Sequence, residues 1–316
     1  MLENIIFSVN ITLPLFGVMA VGYLLRKTNV IETVFINGAN TYLYYVGLPA
    51  KLFLDVASSN LREVTSPAYA LVCAAVICCG FFTAWGFARA VLRNASQIGT
   101  FVHGAFRGNF VYIGLSLAES ILGPSVYAAG AQVLISLIPL YNICAVLVLT
   151  VCGDQKGHVT VGKLLIKFFS NPMLLSVLAA LPFALFQISI IPSVRTTLSY
   201  LGGMSTALAL LVIGASIQIS DFTKRRYEIL MACLYKLLLQ PLLFLPVFIF
   251  VLTCTPAEIV VAFVMLGAPS AANVYVMTKK LGGDARLGSG ILVASELLSV
   301  FSMTFWILVL KSGGVI

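Results

Sequence analysis

Long stretches without a charged residue recur along the chain, separated by short polar clusters. Residues 4–25 form the first and end at Arg26-Lys27, and residues 33–50 form the second and end at Lys51. Residues 64–88 lie between Glu63 and Arg89. A fourth apolar segment, 100–122, is interrupted by Arg107 and Glu119, and a fifth runs from 125 to 153. Residues 168–194 and 196–220 follow, with Pro192 helping to separate them. The last three are 229–252 with Lys236, 258–280, and 287–310 with Glu296. A helix needs about 20 apolar residues to cross a bilayer. The pattern therefore predicts an all-α integral membrane protein of ten transmembrane helices. A β-barrel is excluded, because its strands alternate apolar and polar positions.

Composition narrows the function classes. The 316 residues are 60% apolar and 9% charged, with a mean hydropathy of +1.04. A soluble domain carries about 25% charged residues, so this chain cannot cover a water-facing surface. Soluble enzymes, disordered tails and disulfide scaffolds are excluded. Ten helices of about 22 residues leave room for loops but for no separate domain. The seven cysteines lie mostly in apolar segments, with no C-x-x-C, and there are two histidines. Inert buried thiols and no metal site are expected. The opening Met-Leu-Glu-Asn lacks a basic n-region, so the first run is expected to be an uncleaved span.

Charge placement predicts orientation. Thirteen of the 19 lysines and arginines fall in the odd-numbered connections, from Arg26-Lys27 to Lys279, Lys280 and Arg286. Arg62, Arg195 and Lys311 lie on the other side, and Lys51, Arg107 and Lys236 within or beside spans. This asymmetry puts the odd connections in the cytoplasm of a cytoplasmic (inner) membrane protein and both termini outside. It also explains the net charge of +8 without nucleic acid.

The loop 154–167 divides the chain into two five-helix halves, 1–153 and 168–316. Five is odd, so the second half is inverted, the plan of many secondary transporters. Weak echoes agree: Asn10 and Pro14 against Asn171-Pro172, and Gly108-Asn109-Phe110-Val111-Tyr112 against Ala272-Asn273-Val274-Tyr275-Val276. The fourth and ninth spans are interrupted in corresponding places, by Phe106–Asn109 and by Gly267–Asn273. Proline and glycine favour opening of a helix. An opened helix at membrane depth is tolerated around a cavity or within protein. The N-terminal ends of the resumed helices then suit an anion.

The run Phe106-Arg107-Gly108-Asn109-Phe110-Val111-Tyr112-Ile113-Gly114-Leu115 resembles the fourth-helix motif of the auxin efflux carrier family. Ala268-Pro269-Ser270-Ala271-Ala272-Asn273-Val274-Tyr275-Val276-Met277, with Gly282-Gly283-Asp284, resembles its ninth-helix motif. Gly47-Leu48-Pro49-Ala50 and Asn171-Pro172 also fit, and the short middle loop is similar to that of bacterial members. The resemblance covers essentially the whole chain. One departure is Gly114-Leu115-Ser116, where many relatives have proline, so the first break relies on Gly108, Gly114 and local side chains. The resemblance implies two inverted repeats similar to the bile-acid sodium symporters. It implies a scaffold of helices 1, 2, 6 and 7, a mobile transport domain of helices 3–5 and 8–10, and crossing broken helices at the substrate site. It further implies elevator-type transport of small organic carboxylates, in a homodimer surrounded by lipid.

The expected substrate-binding residues are Arg107, Gly108, Asn109, Pro269, Ser270, Asn273 and Tyr275. Asn109 and Asn273 either donate amides to a carboxylate or cap half-helices. Pro269 shapes the break, and Ser270 adds a hydroxyl or an amide. Tyr112 and Tyr275 either gate the cavity or pack. Arg107 either grips a carboxylate, pairs with Glu119 or Glu296, or faces the cytoplasmic mouth. Three residues are expected to couple or balance charge. Lys236 neutralises substrate or pairs with Glu296; Lys51 snorkels near the outer end of its span; Glu296 exchanges a proton, holds a cation such as sodium, or balances Lys236 or Arg107. Glu119 is expected to be solvated.

An inside-negative potential of 100 mV is worth about 2.3 kcal/mol per charge, so an uncoupled monoanion is exported and import needs a coupled proton or sodium ion. No H-E-x-x-H, G-x-S-x-G or paired metal-binding carboxylates point to an enzyme, and no cofactor is expected. A coupled importer of another solute, an anion channel and a receptor stay open.

Overall fold

The computed structural model describes residues 2–58, 67–153, 172–216, 225–252, 254–271 and 273–316. The described residues are helical throughout, and their one strand-like feature is an isolated bridge. Among them, six helices are long and apolar enough to cross a membrane: Ile6–Lys27, Pro67–Val91, Phe110–Leu134, Pro192–Ala215, Arg226–Val251 and Ala285–Ser312. The shorter apolar helices Ser136–Cys152, Leu175–Phe186 and Pro256–Gly267 accompany them. The middle loop 154–167, with Lys156, Lys163 and Lys167, lies outside the described residues, as do Asn171, Arg62 and Lys224.

In chain order the first half holds α1 (Leu2–Lys27), α2 (Thr33–Tyr42), α3 (Leu48–Ala57), α4 (Pro67–Val91), α5 (Ala95–Phe106), α6 (Leu115–Leu122) and α7 (Val126–Cys152). The rest holds α8 (Pro172–Phe186), α9 (Pro192–Gly203), α10 (Ser205–Ala215), α11 (Arg226–Leu234), α12 (Gln240–Pro246), α13 (Pro256–Gly267), α14 (Asn273–Lys280) and α15 (Ala285–Ser312). Wide π-type turns join several of them, at Leu43–Gly47, Phe110–Gly114, Tyr235–Leu239 and Val247–Val251.

Local chemistry sets the helix ends. Asn94 accepts from the Ser96 amide at 3.0 Å and opens α5. Thr255 and Glu258 form a reciprocal capping box around Pro256 at the start of α13. Asp284 caps α15 through the Leu287 amide at 3.1 Å. Left-handed Gln187 ends α8, and left-handed Gly123 turns the chain between α6 and α7.

Several helix ends differ from those expected, two of them by about two turns. The second span does not stop at Lys51: α3 continues to Ala57, placing Lys51 well inside a helix. The sixth stops at Phe186 rather than 194, and α9 starts at Pro192, so Arg195 lies in a helix and not in a connection. Proline fits the first helical position, where its missing N–H is not needed.

Helices α1 and α10 approach closely. A Cβ on Gly22 would land on the Leu211 carbonyl oxygen, and one on Gly214 on that of Met19. Small residues permit such contacts where lipid supplies no hydrophobic drive between helices. Helix α3 packs on α8 and α9, and α4, α5 and α7 pack on one another. Helix α15 packs on α11, α14 and α5 as well as on α1.

Candidate functional site

The fourth and ninth apolar segments both break, and the breaks cross. Helix α5 ends at Phe106, and Arg107 turns extended with φ −88° and ψ 109°. The chain resumes after Asn109, whose carbonyl oxygen accepts from the amides of Ile113 at 3.2 Å and Gly114 at 3.0 Å. Helix α13 ends at Gly267, Ala268 turns extended, and α14 resumes at Asn273. The extended pieces run antiparallel and pair at Gly108 and Ser270. The Asn109 amide donates to the Pro269 carbonyl at 2.6 Å, and the Ala271 amide donates to the Arg107 carbonyl at 3.3 Å. Gly108 suits the close crossing: a Cβ would lie 3.0 Å from the Lys236 ammonium and 3.3 Å from the carbonyl oxygens of Ala268 and Met265, so these neighbours would have to give way.

Each break frees backbone groups that need partners. The Ser270 hydroxyl donates to the Gly104 carbonyl at 2.6 Å, in the last turn of α5. The Lys236 ammonium donates to the Leu266 carbonyl at 2.7 Å, in the last turn of α13. The Gly108 amide donates to the Tyr141 hydroxyl at 3.3 Å, and that hydroxyl makes a longer contact, 3.4 Å, with the Met265 carbonyl. The Ser270 amide donates to the Ser295 hydroxyl at 3.0 Å. The crossover is thus cross-linked by side chains from three other helical segments.

Arg107, Gly108, Asn109, Pro269, Ser270 and Lys236 are brought together. Arg107 is 8% exposed. It donates to the Asn142 amide oxygen at 3.2 Å and to the Met277 sulfur at 3.5 Å, with its guanidinium 5.7 Å from the Tyr141 ring centre. The buried Asn109 side chain caps nothing and makes no hydrogen bond among the described residues. Asn273 opens α14, and its side chain lies outside the described residues. Tyr275 sits two residues further on and is exposed.

Several expected charge pairs are not formed. Arg107 meets neither Glu119 nor Glu296, because its guanidinium is taken up by Asn142, Met277 and Tyr141. Lys236 is fully buried and meets Gln240 Oε1 at 3.0 Å and Leu266 rather than Glu296. Among the described residues no cation pairs with the buried Glu296. Lys51 does not simply snorkel: it pairs with Asp55 at 3.3 Å and Glu119 at 3.2 Å. Glu119 is accordingly held rather than freely solvated, because α3 and α6 place the two charges together. Gly282-Gly283-Asp284 is a structural turn: Gly282 is left-handed, Gly283 abuts the Thr100 hydroxyl, and the Asp284 amide donates to it at 2.9 Å.

Sequence reasoning missed Tyr141, Asn142, Gln240, Ser295 and His103. Tyr141-Asn142 is a polar pair inside the fifth apolar run, and Gln240 lies one turn after Lys236; both were visible signals. His103, one turn before Arg107, is fully buried with neither ring nitrogen bonded among the described residues. An apolar groove of about 370 Å³ between α11 and α15 includes Leu230, Leu234, Phe301 and Phe305, and no break residue lines it.

Chemically, the crossover presents two buried cations with no bonded carboxylate among the described residues, and an amide at Asn109 that no described residue engages. That arrangement favours an anion with hydrogen-bond acceptors. The model of the family described as "Membrane transport protein" matches residues 7–307 of the chain. A protein of Rhizobium meliloti (strain 1021) named "Putative malonate transporter" is 24% identical over 307 residues, covering 96% of each chain.

Proposed function

Because the chain belongs to the auxin efflux carrier family of membrane transport proteins, we propose that it carries small carboxylate anions across the cell membrane, binding them where its two breaks cross. The observation that carries this reading is the antiparallel pairing of Gly108 with Ser270 beside the cations Arg107 and Lys236. Asn109 and Asn273 contact the carboxylate in this reading, and Pro269 and Ser270 hold the break open. The name of the Rhizobium relative makes malonate the first probe.

The same proposal includes ten spans in two inverted repeats. Helices α1, α2, α3, α8, α9 and α10 form the scaffold and the remaining helices the moving part, in an elevator-type homodimer of the inner membrane with both termini outside. Support for the division comes from packing: α1 lies on α10, and α3 lies on α8 and α9. Counterflow of radiolabelled malonate into proteoliposomes tests the activity. Saturable exchange that Asn109→Ala abolishes is the expected result. Unsaturable flux would mean a channel, and no carboxylate exchange of any kind sinks the proposal.

A proton-coupled importer is the second reading, favoured by Glu296, which is buried without a cation partner among the described residues. Here Glu296→Gln removes accumulation driven by a pH gradient while exchange survives. Accumulation unchanged by the substitution would discard this reading.

A further inference from the structure

We infer that Lys236 is a covalently tethered stand-in for a sodium ion at the crossover, so that the carrier runs without sodium. The inference deepens the carrier reading and rests on it. Where a helix is cut at membrane depth, its C-terminal end presents unpaired carbonyls and the negative end of its dipole. In broken-helix transporters such ends coordinate sodium or protons. Helix α13 is cut in this way at Gly267.

Its last-turn carbonyls are not vacant. The Lys236 ammonium bonds the Leu266 carbonyl at 2.7 Å and the Gln240 side-chain oxygen at 3.0 Å. The carbonyl oxygens of Met265 and Ala268 crowd the same point, both 3.3 Å from where a Gly108 Cβ would sit, with the ammonium 3.0 Å from it. A compact cation therefore sits among neutral oxygens, fully out of contact with solvent. No carboxylate among the described residues pairs with it. Backbone carbonyl and side-chain amide oxygens are the ligand type a hard cation selects. An ammonium fits the place because it is a small point charge with three donors. Because it is anchored on the turn Tyr235–Leu239, it cannot dissociate and so carries no ion gradient into the transport cycle.

The test is a thermal melt of purified protein in sodium chloride and in choline chloride at equal ionic strength, with no carboxylate added. The wild type melts at the same temperature in both. Lys236→Ala opens the oxygen cluster and melts lower in choline, and sodium at about ten times its dissociation constant raises its Tm by roughly 2 °C. Lys236→Ser, which leaves the space open and keeps a polar group beside it, serves where the alanine variant does not fold, and shows the same sodium-dependent rise. A sodium-dependent Tm in the wild type overturns the inference. So does a folded variant indifferent to sodium, or wild-type malonate counterflow that requires sodium. Failure of the carboxylate reading looks different: no malonate counterflow in either salt, with the melting pattern intact.

Discussion

Two lysines interrupt apolar helices of this protein, and their surroundings are opposite. Lys51 stands on α3 at about one-fifth side-chain exposure, between Asp55 and Glu119, with the Tyr127 ring 5.4 Å away. Lys236 is dry, and it meets an amide oxygen and a backbone carbonyl. The first charge is compensated by acids, as surface charges usually are. The second is compensated by the dipoles of a cut helix, and no carboxylate among the described residues cancels its positive field at the crossover. A charge held that way is costly to bury, and such charges in membrane proteins mark ligand or ion sites. The Lys51 cluster joins helices; the Lys236 site joins a break.

Substitutions test this contrast. Lys236→Met should have the largest effect: it strips the Leu266 carbonyl and Gln240 of their donor and costs about 3 kcal/mol, seen as a lowered Tm. A loss no larger than that of Lys51→Met would break the contrast. Ser270→Ala should cost about 1 to 3 kcal/mol, because the buried Gly104 carbonyl loses its partner. Lys51→Met should cost about 1 kcal/mol or less, and the cost should shrink as salt is raised from low ionic strength. The Lys236→Met cost should not respond to salt, since buried charges are poorly screened. Asn109→Ala should lower stability least, by about 0.5 kcal/mol or less, because its amide bonds no described residue and so no hydrogen bond is lost. It should nonetheless lose the stabilisation by malonate, which at a hundred times the dissociation constant is worth about 2.7 kcal/mol.

Much of the fold was legible because its signals are local. Charge-free runs mark apolar helices, and Gly108 and Pro269 mark the places where helices open. The resemblance of Phe106–Leu115 and Ala268–Met277 to family motifs points to the same two breaks. The helix ends around Pro192 and Lys51 were misplaced for a physical reason. A single charge ends the span expected from the sequence, whereas α3 carries Lys51 onward by pairing it with Asp55 one turn later. Of the site, the break residues were visible and their cross-links were not. For Ser270 the expectation is a hydroxyl or an amide at the site; in the structure the cut end of α5 takes the hydroxyl and Ser295 accepts from the amide. Tyr141 stands out as a polar residue in an apolar run, but its partner does not, because neither it nor Ser295 shares a helix with the amide it meets.

The sequence by itself determined that the chain is a membrane protein, where its long apolar helices run and where two of them open. Those properties follow from the free energy of placing charge or unpaired backbone in hydrocarbon, which each short segment settles alone. Only the tertiary structure decided which lysine meets acids and which meets carbonyls, and that the two breaks pair antiparallel at Gly108 and Ser270. Such pairings join segments that lie 30 residues apart for Lys236 and Leu266 and 68 apart for Lys51 and Glu119, and packing alone brings them together.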